Sequence, residues 1–206
     1  MSKTPETQNP AHTDDDSVYV AQCRKGNTEA FSILVARHSK KMITVAHRLL
    51  GDYEDACDVA QEAFISAWRS LGKFRAEAQF STWLYRIVVN HAKNRLQMRQ
   101  TRNRREIVSL DETVRNTGDC AACRVGADIA NPQRVLERRE IETHVRNCLA
   151  TLEEEQRMTL VLRDMQGLSY DDIGSILQIP EGTVKSRLSR ARLAMKDCLK
   201  KLMEGP

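Results

Sequence analysis

Apolar residues recur three and four places apart along nearly the whole chain, and no segment alternates apolar with polar residues over the length of a strand. That pattern admits helices packed on helices and little else. Glycine and proline are sparse and fall where helices should stop. Gly26, Gly51 and Gly72 punctuate the first half, and Pro132, Gly167, Pro180 and Gly182 the second. Two helical blocks result, Ser17 to about Leu96 and Asn131 to about Leu202. Between them Gln97 to Ala130 carries no sustained apolar stripe, the composition of a linker. The expected fold is all-α, two small helical domains on a flexible tether. The expected boundaries are a disordered tail over 1–17, a first domain over 18–96, a linker over 97–131 and a second domain over 132–206.

Composition narrows the function classes. Of the 206 residues, 41% are hydrophobic and 29% charged, ordinary for a folded globular chain. The net charge of +4 conceals segregation. No acidic residue lies between Glu77 and Glu106, while Arg86, Lys93, Arg95, Arg99, Arg102, Arg104 and Arg105 do. A basic block of that kind attracts polyanions, because binding them releases counterions. No apolar run is long enough to cross a bilayer. Met1 to Asp16 is polar and ends in three aspartates, unlike a secretory leader, so a cytoplasmic location is expected. The six cysteines are scattered and are expected to be mostly thiols there.

Helical faces point to three surfaces. Over Glu54 to Leu71, Ala56, Ala60, Ala63, Phe64, Ala67 and Leu71 share a core side. The opposite side carries Asp55, Asp58, Gln61, Glu62 and Arg69 around an apolar Ile65. Acidic groups around an apolar anchor suit docking to a basic protein surface, although a lone exposed isoleucine is also common. A helix starting at the N-cap Ser81 puts Leu84, Ile87, Val88 and His91 on one side. It puts Trp83, Arg86, Asn90, Lys93, Asn94 and Gln97 on another. A ring, cations and amides on one face fit single-stranded nucleic acid, where rings stack on bases and cations meet phosphates. The alternative is a core tryptophan beside a solvated face. The loop before it has a phenylalanine near each end, Phe74 and Phe80, and can either hold an unstacked base or simply be anchored by its rings.

The sharpest signal runs from Leu168 to Met195. Ser169 caps a short helix, with Asp172 in the position of a capping box, and Gln178-Ile179-Pro180 makes a turn. A second helix follows, with Val184, Leu188, Ala191 and Met195 facing inward. Thr183, Lys185, Ser186, Ser189, Arg190 and, at the edge, Arg187 are left outward. This is a helix-turn-helix with a cationic reading face suited to a major groove.

Two stretches carry a family resemblance: Asp55-Ala-Cys-Asp-Val-Ala-Gln-Glu-Ala-Phe-Ile-Ser-Ala-Trp68 and Phe80-Ser-Thr-Trp-Leu-Tyr-Arg-Ile-Val-Val-Asn-His-Ala-Lys-Asn-Arg95. They resemble region 2 of extracytoplasmic-function sigma factors, group 4 of the sigma-70 family. Glu181-Gly-Thr-Val-Lys-Ser-Arg-Leu-Ser-Arg-Ala-Arg192 resembles their region 4, and the envelope-stress, sigma-E-like group is the nearest in pattern. The resemblance covers about Val18 to Leu202. It implies a non-enzymatic, dissociable subunit of RNA polymerase that directs promoter-specific initiation, in a stress response. Asp55, Asp58, Gln61, Glu62, Ile65 and Arg69 would meet the clamp helices of the largest polymerase subunit. Phe74, Arg75, Phe80, Trp83, Arg86, Asn90, Lys93 and Asn94 would open and read the −10 element, Asn90 contacting a base. Thr183, Lys185, Ser186, Arg187, Ser189 and Arg190 would read the −35 element, and the second domain would also touch the polymerase flap. The resemblance further implies an anti-sigma partner and no cofactor.

Cys120-Ala-Ala-Cys123 departs from the family pattern. With His144 and Cys148 it makes up a conceivable four-ligand zinc set, or a thiol switch. The stripe Ile141, Val145, Cys148, Leu149, Leu152 instead gives Cys148 a core position, and that reading is preferred. A free-standing helix-turn-helix regulator is the alternative from another class. It would bind its operator without polymerase.

Overall fold

The computed structural model describes residues 15–74, 78–106 and 132–204, and every described regular element is helical. Asn27 opens the first long helix by accepting from the backbone N–H groups of Glu29 (2.9 Å) and Ala30 (3.2 Å). That helix, α2 (Thr28–Leu50), follows a short α1 (Asp15–Arg24). It ends at Gly51, whose φ of 77° suits a residue without a Cβ. Asp52 then caps α3 (Tyr53–Ser70) through the Asp55 N–H at 2.9 Å. A 3-10 turn, Leu71–Lys73, leads toward α4 (Phe80–Glu106).

The expected core face of α3 is buried throughout, Ala56, Ala60, Ala63, Phe64, Ala67 and Leu71 included. Its alanines let α2 approach closely, so that Leu34, Met42, Val45 and Leu49 fill the space between the helices together with Leu84 and Val88 of α4. α1 is pinned from below. The Asp16 carboxylate lies 2.7 Å from Nε2 of the buried His38.

The second module consists of α5 (Pro132–Thr151), α6 (Glu154–Leu160), a π-helical turn (Val161–Met165), α7 (Tyr170–Leu177) and α8 (Glu181–Glu204). Ser169 caps α7 as expected, accepting from the Asp172 N–H at 3.0 Å. The turn into α8 depends on two backbone features. Gln178 adopts a left-handed φ of 57°, and a Cβ added at Gly174 would meet the Ile179 carbonyl oxygen at 3.0 Å. Val184, Leu188, Ala191 and Met195 of α8 are buried against Ile173 and Ile176, the arrangement that fixes which side of α8 faces out.

Several expectations need correction. α4 continues to Glu106, so residues 97–106 are helix rather than linker. Gln, Met and Arg are good helix formers, and with Gln97, Met98, Gln100, Thr101 and Arg102 exposed this stretch carries no buried apolar stripe to detect. Its start precedes the expected Ser81 cap by one residue, at Phe80. Cys148 and Cys198 form a disulfide tying α5 to α8, where thiols were expected. Finally, the two modules touch. Tyr85 of α4 donates to Gln166 Oε1 at 3.0 Å, and Arg157 of α6 donates to the Leu49 carbonyl at 2.9 Å. The expected tail over 1–17 also gives way at its end, because α1 begins at Asp15; residues 1–14 of that tail, 107–131 of the expected linker, Arg75, Cys120 and Cys123 lie outside the described residues.

Candidate polymerase and promoter interfaces

On α3 the acidic side is already half-matched from within. Arg95 of α4 reaches Asp55 (3.0 Å), Glu62 (3.4 Å) and Asp58 (3.9 Å), and Arg99 also pairs with Asp55. His91 sits between Glu62 (3.3 Å) and the Ser66 hydroxyl (3.0 Å). Asp55 is therefore a strut between α3 and α4, while Asp58, Glu62 and Arg69 remain exposed. Gln61 and Ile65 lie on the other flank, on the wall of an apolar groove of about 550 Å³ between α2 and α3. Ile65 is 44% exposed at its rim.

Sequence reasoning missed the other wall of that groove. Phe31, Val35 and Ile43 of α2 face Ile65 and Trp68 of α3, and the Phe31 and Trp68 rings lie 4.9 Å apart. A signal was present. Positions 31, 35 and 43 form an apolar row beside the buried row of Leu34, Met42 and Val45, wider than one core face needs. An apolar groove edged by charge is the anatomy of a protein-docking surface.

The long face of α4 is as expected over most of its length. Arg86, Asn90, Lys93, Asn94 and Gln97 are exposed in a row, and Trp83 at its head is half-buried. The Trp83 ring packs on Phe74 (5.0 Å between centroids) and Phe80 (5.8 Å). Phe74 and Phe80 are only 7% and 4% exposed, so their rings hold the loop and are not presented to a base in this arrangement. The Arg24 guanidinium reinforces the anchor by donating to the Phe74 carbonyl. What α4 offers outward is one edge of an indole followed by cations and amides.

On α8, Lys185, Ser186, Ser189 and Arg190 point outward and Thr183 is half-buried. Lys185 pairs with Glu181 at 2.7 Å, which raises its ammonium above the usual lysine range. It also lies 5.7 Å from the Tyr170 ring centre. Arg187 is turned away. It pairs with Glu155 of α6 and its side chain is only 19% exposed, so it braces α8 instead of joining the reading row. Arg192 does similar work on the other flank, gripping Asp164 with Nε at 2.9 Å and Nη2 at 2.5 Å.

The zinc set fares differently. Cys148 is committed to Cys198, which removes one of the four ligands, and no cluster of metal-ligating side chains occurs among the described residues. No described helix is long and apolar enough to cross a membrane.

A helix-turn-helix with a polar, cationic outer row, joined to a helical module with a separate amide-and-cation face, defines a DNA-reading transcription factor with two reading surfaces. Comparison with known proteins places that class. Residues 34–102 match the model of Sigma-70 region 2 and residues 144–195 that of Sigma-70, region 4. The chain is 40% identical over 190 residues to the RNA polymerase sigma-H factor of Pseudomonas aeruginosa, covering 92% of this chain and 96% of that one. It is 39% identical over 180 residues to the ECF RNA polymerase sigma-E factor of Escherichia coli K12, covering 87% and 92%. Among solved structures, CnrH in complex with the cytosolic domain of CnrY superposes with a TM-score of 0.64 at 24% identity, over 91% of this chain and 98% of that one. The sigma factor RpoE of Bartonella quintana, solved with the anti-sigma factor NepR, gives 0.63 at 22%, over 82% and 96%. These two show the shared fold. The chain belongs to the extracytoplasmic-function sigma factors of the sigma-70 family. It binds core RNA polymerase and directs initiation at particular promoters.

Proposed function

We propose that the three surfaces divide the work of initiation among themselves. The groove between α2 and α3, with Gln61, Ile65, Asp58, Glu62 and Arg69 along its edge, receives the clamp helices of the largest polymerase subunit. Asp55 acts behind it, holding α3 to α4. Trp83, Arg86, Asn90, Lys93 and Asn94 engage the opened −10 element, with Asn90 on a base, and the loop anchored by Phe74 and Phe80, carrying Arg75, helps to open it. Lys185, Ser186, Ser189 and Arg190 read the −35 duplex, flanked by Thr183, and the second module also meets the polymerase flap. The protein supplies binding energy and strand opening, and the phosphodiester chemistry stays with the core enzyme. The working units are a first module extended to residue 106 and a second over 132–204, acting in the cytoplasm.

The observation that carries this reading is the opposition on α8. Buried Val184, Leu188, Ala191 and Met195 leave the outward row only one way to face, and that row is cationic and unencumbered at Ser189 and Arg190. We further propose that an anti-sigma factor holds the protein inactive until a stress signal arrives. The support is that the structural relatives were solved with partner chains, CnrH with the cytosolic domain of CnrY and the Bartonella RpoE with the anti-sigma factor NepR.

The test is single-round transcription with core polymerase on templates altered in one element at a time. Arg190→Ala should weaken initiation about tenfold on templates with an intact −35 element and change little once that element is scrambled, a loss in line with one good base contact. Asn90→Ala should show the same dependence on the −10 element. Equal losses on every template would reject the division.

A further inference from the structure

One acid stands among the cations of the reading helix. Glu181 opens α8, and no further Asp or Glu follows it until Asp197. A carboxylate brought to duplex DNA meets about one phosphate charge per 1.7 Å of axis and is repelled. Helix stability explains part of its presence, since a carboxylate in the first turn faces the positive end of the helix dipole. It does not explain what surrounds it. Glu181 Oε1 lies 2.7 Å from Lys185 Nζ, one turn on, and both side chains stay open to solvent, at 56% and 59% exposure. The lysine is steered as well as paired. Its ammonium lies 5.7 Å from the centre of the Tyr170 ring at the start of α7, and the Arg163 guanidinium sits 4.6 Å from that same centre. Arg163 is held in turn, donating from Nη1 to the Leu168 carbonyl at 2.6 Å. A pair propped in this way has less rotamer freedom to lose on binding than two free long side chains.

A helix-turn-helix sets the N-terminal residues of its second helix against base edges, and Glu181 is the first residue of α8. The pair therefore arrives as one unit, an acceptor beside a donor. Their charged atoms are closer together than successive base pairs, which stack about 3.4 Å apart, so both fit the edge of a single base pair. Chemistry then selects the pair. Guanine shows two acceptors, N7 and O6, and its cytosine partner shows the N4 donor, so an ammonium on guanine and a carboxylate on cytosine are both satisfied. An A·T pair sets the adenine N6 donor against the ammonium and the thymine O4 acceptor against the carboxylate. C·G reverses the match in the same way. T·A ranks second, because it offers the ammonium one acceptor, beside a methyl group, in place of two.

We propose that Glu181 and Lys185 act as one reading element that selects a G·C base pair within the −35 element, with guanine under the lysine and cytosine under the glutamate. The proposal rests on the assignment of α8 to that element above, and it adds Glu181 to the reading row as a specificity-determining residue. Pairing with Lys185 is what lets an acid work there. The neutralised pair approaches the phosphates without the repulsion a lone carboxylate meets, and the carboxylate rejects the base pairs that present an acceptor to it.

The experiment is initiation by the holoenzyme, full chain with core polymerase, on a template pool randomised across the −35 element, with base preference read at each position. Wild type should prefer G·C over A·T or C·G about tenfold at one position, in line with one good base contact. Glu181→Ala and Lys185→Ala, confirmed folded by circular dichroism, should each flatten preference at that same position, and the double variant should flatten it no further. Exchanging the residues, Glu181→Lys with Lys185→Glu, keeps the ion pair and turns it round, so the preference there should invert to C·G. Single variants that act at different positions, a Glu181→Ala profile that matches wild type or rises equally on every sequence, or an exchange that does not invert the preference would each overturn the pair. Arg190→Ala separates this idea from the one beneath it. If that variant alters −35 preference and Glu181→Ala does not, the pair alone is wrong; if neither does, α8 does not read the element.

Discussion

Ile65→Asp is the substitution that asks most directly whether the groove between α2 and α3 is where polymerase docks. Ile65 is 44% exposed in the free protein, so the change removes no core packing and the fold should survive it. Full burial of an isoleucine side chain is worth about 1.5–3 kcal/mol, so the part still exposed can contribute about 1 kcal/mol on docking. The new carboxylate weighs more heavily than the lost apolar contact. It enters a groove walled by Phe31, Val35, Ile43 and Trp68, whose lining includes no cation, and desolvation there costs about 2 kcal/mol or more. Together about 3 kcal/mol corresponds to a loss of roughly two orders of magnitude in core affinity. The assay is competition of unlabelled variant against fluorescent wild type for core polymerase, with a thermal melt as the control for folding. A variant that melts normally and competes within twofold of wild type would refute the docking assignment. Reversing Asp58 and Glu62 to arginine is a less clean test, because both carboxylates also pair with Arg95 and the change strikes the α3–α4 contact as well.

Three further outcomes are expected. Burial pushes the Tyr85 phenol up to about 12, which favours its neutral, hydrogen-bonding form, so the stability it contributes is fully present below the ordinary value of 10.0 and is lost as pH rises toward 12. Phenolate absorbance should show a late-titrating component in the wild type that is missing from Tyr85→Phe. Reducing the Cys148–Cys198 disulfide frees a loop spanning 50 residues, which on the chain-entropy estimate removes about 4 kcal/mol from the second module. Calorimetry with and without dithiothreitol should show a lowered transition for that module, and identical melts would mean that the bond does not contribute. Gly174→Val should cost about 1–3 kcal/mol and weaken −35-dependent initiation, because its side chain would drive against the Ile179 carbonyl that shapes the turn. Native-like melting and promoter selectivity in that variant would show that the turn can relax.

The helix-turn-helix was legible because its information is local. A cap, a turn and an inward stripe all fall within the span from Leu168 to Met195, and each reports on neighbours a few residues away. The α4 row was legible for the same reason. Legibility failed where the decisive partner is distant in sequence. Asp55 and Arg187 read as outward charges from periodicity, yet Arg95, Arg99 and Glu155 claim them from 32 to 44 residues away. Phe74 and Phe80 could be recognised as rings at the ends of a loop, but whether a ring faces solvent depends on what covers it, here Trp83 and His38. Cys148 is buried as its stripe implied, although Ile141 at the head of that stripe is 62% exposed, and its pairing with Cys198 depends on how α5 lies across α8. The groove was the avoidable omission, since the second apolar row of α2 is visible in the sequence. The contact between modules left no local trace. Thr82, Tyr85, Gln166 and Asp172 are ordinary residues at ordinary helical positions until the helices meet.

Adding the purified chain to core RNA polymerase on a library of promoter fragments, and mapping the 5′ ends of the transcripts, is the most direct trial of the whole account. Initiation should appear at a small set of defined positions, each lying downstream of a shared pair of elements about 25 base pairs apart, on the order of 85 Å of duplex. Transcripts that start at the same places with and without the chain, or that need only one of the two elements, would contradict it.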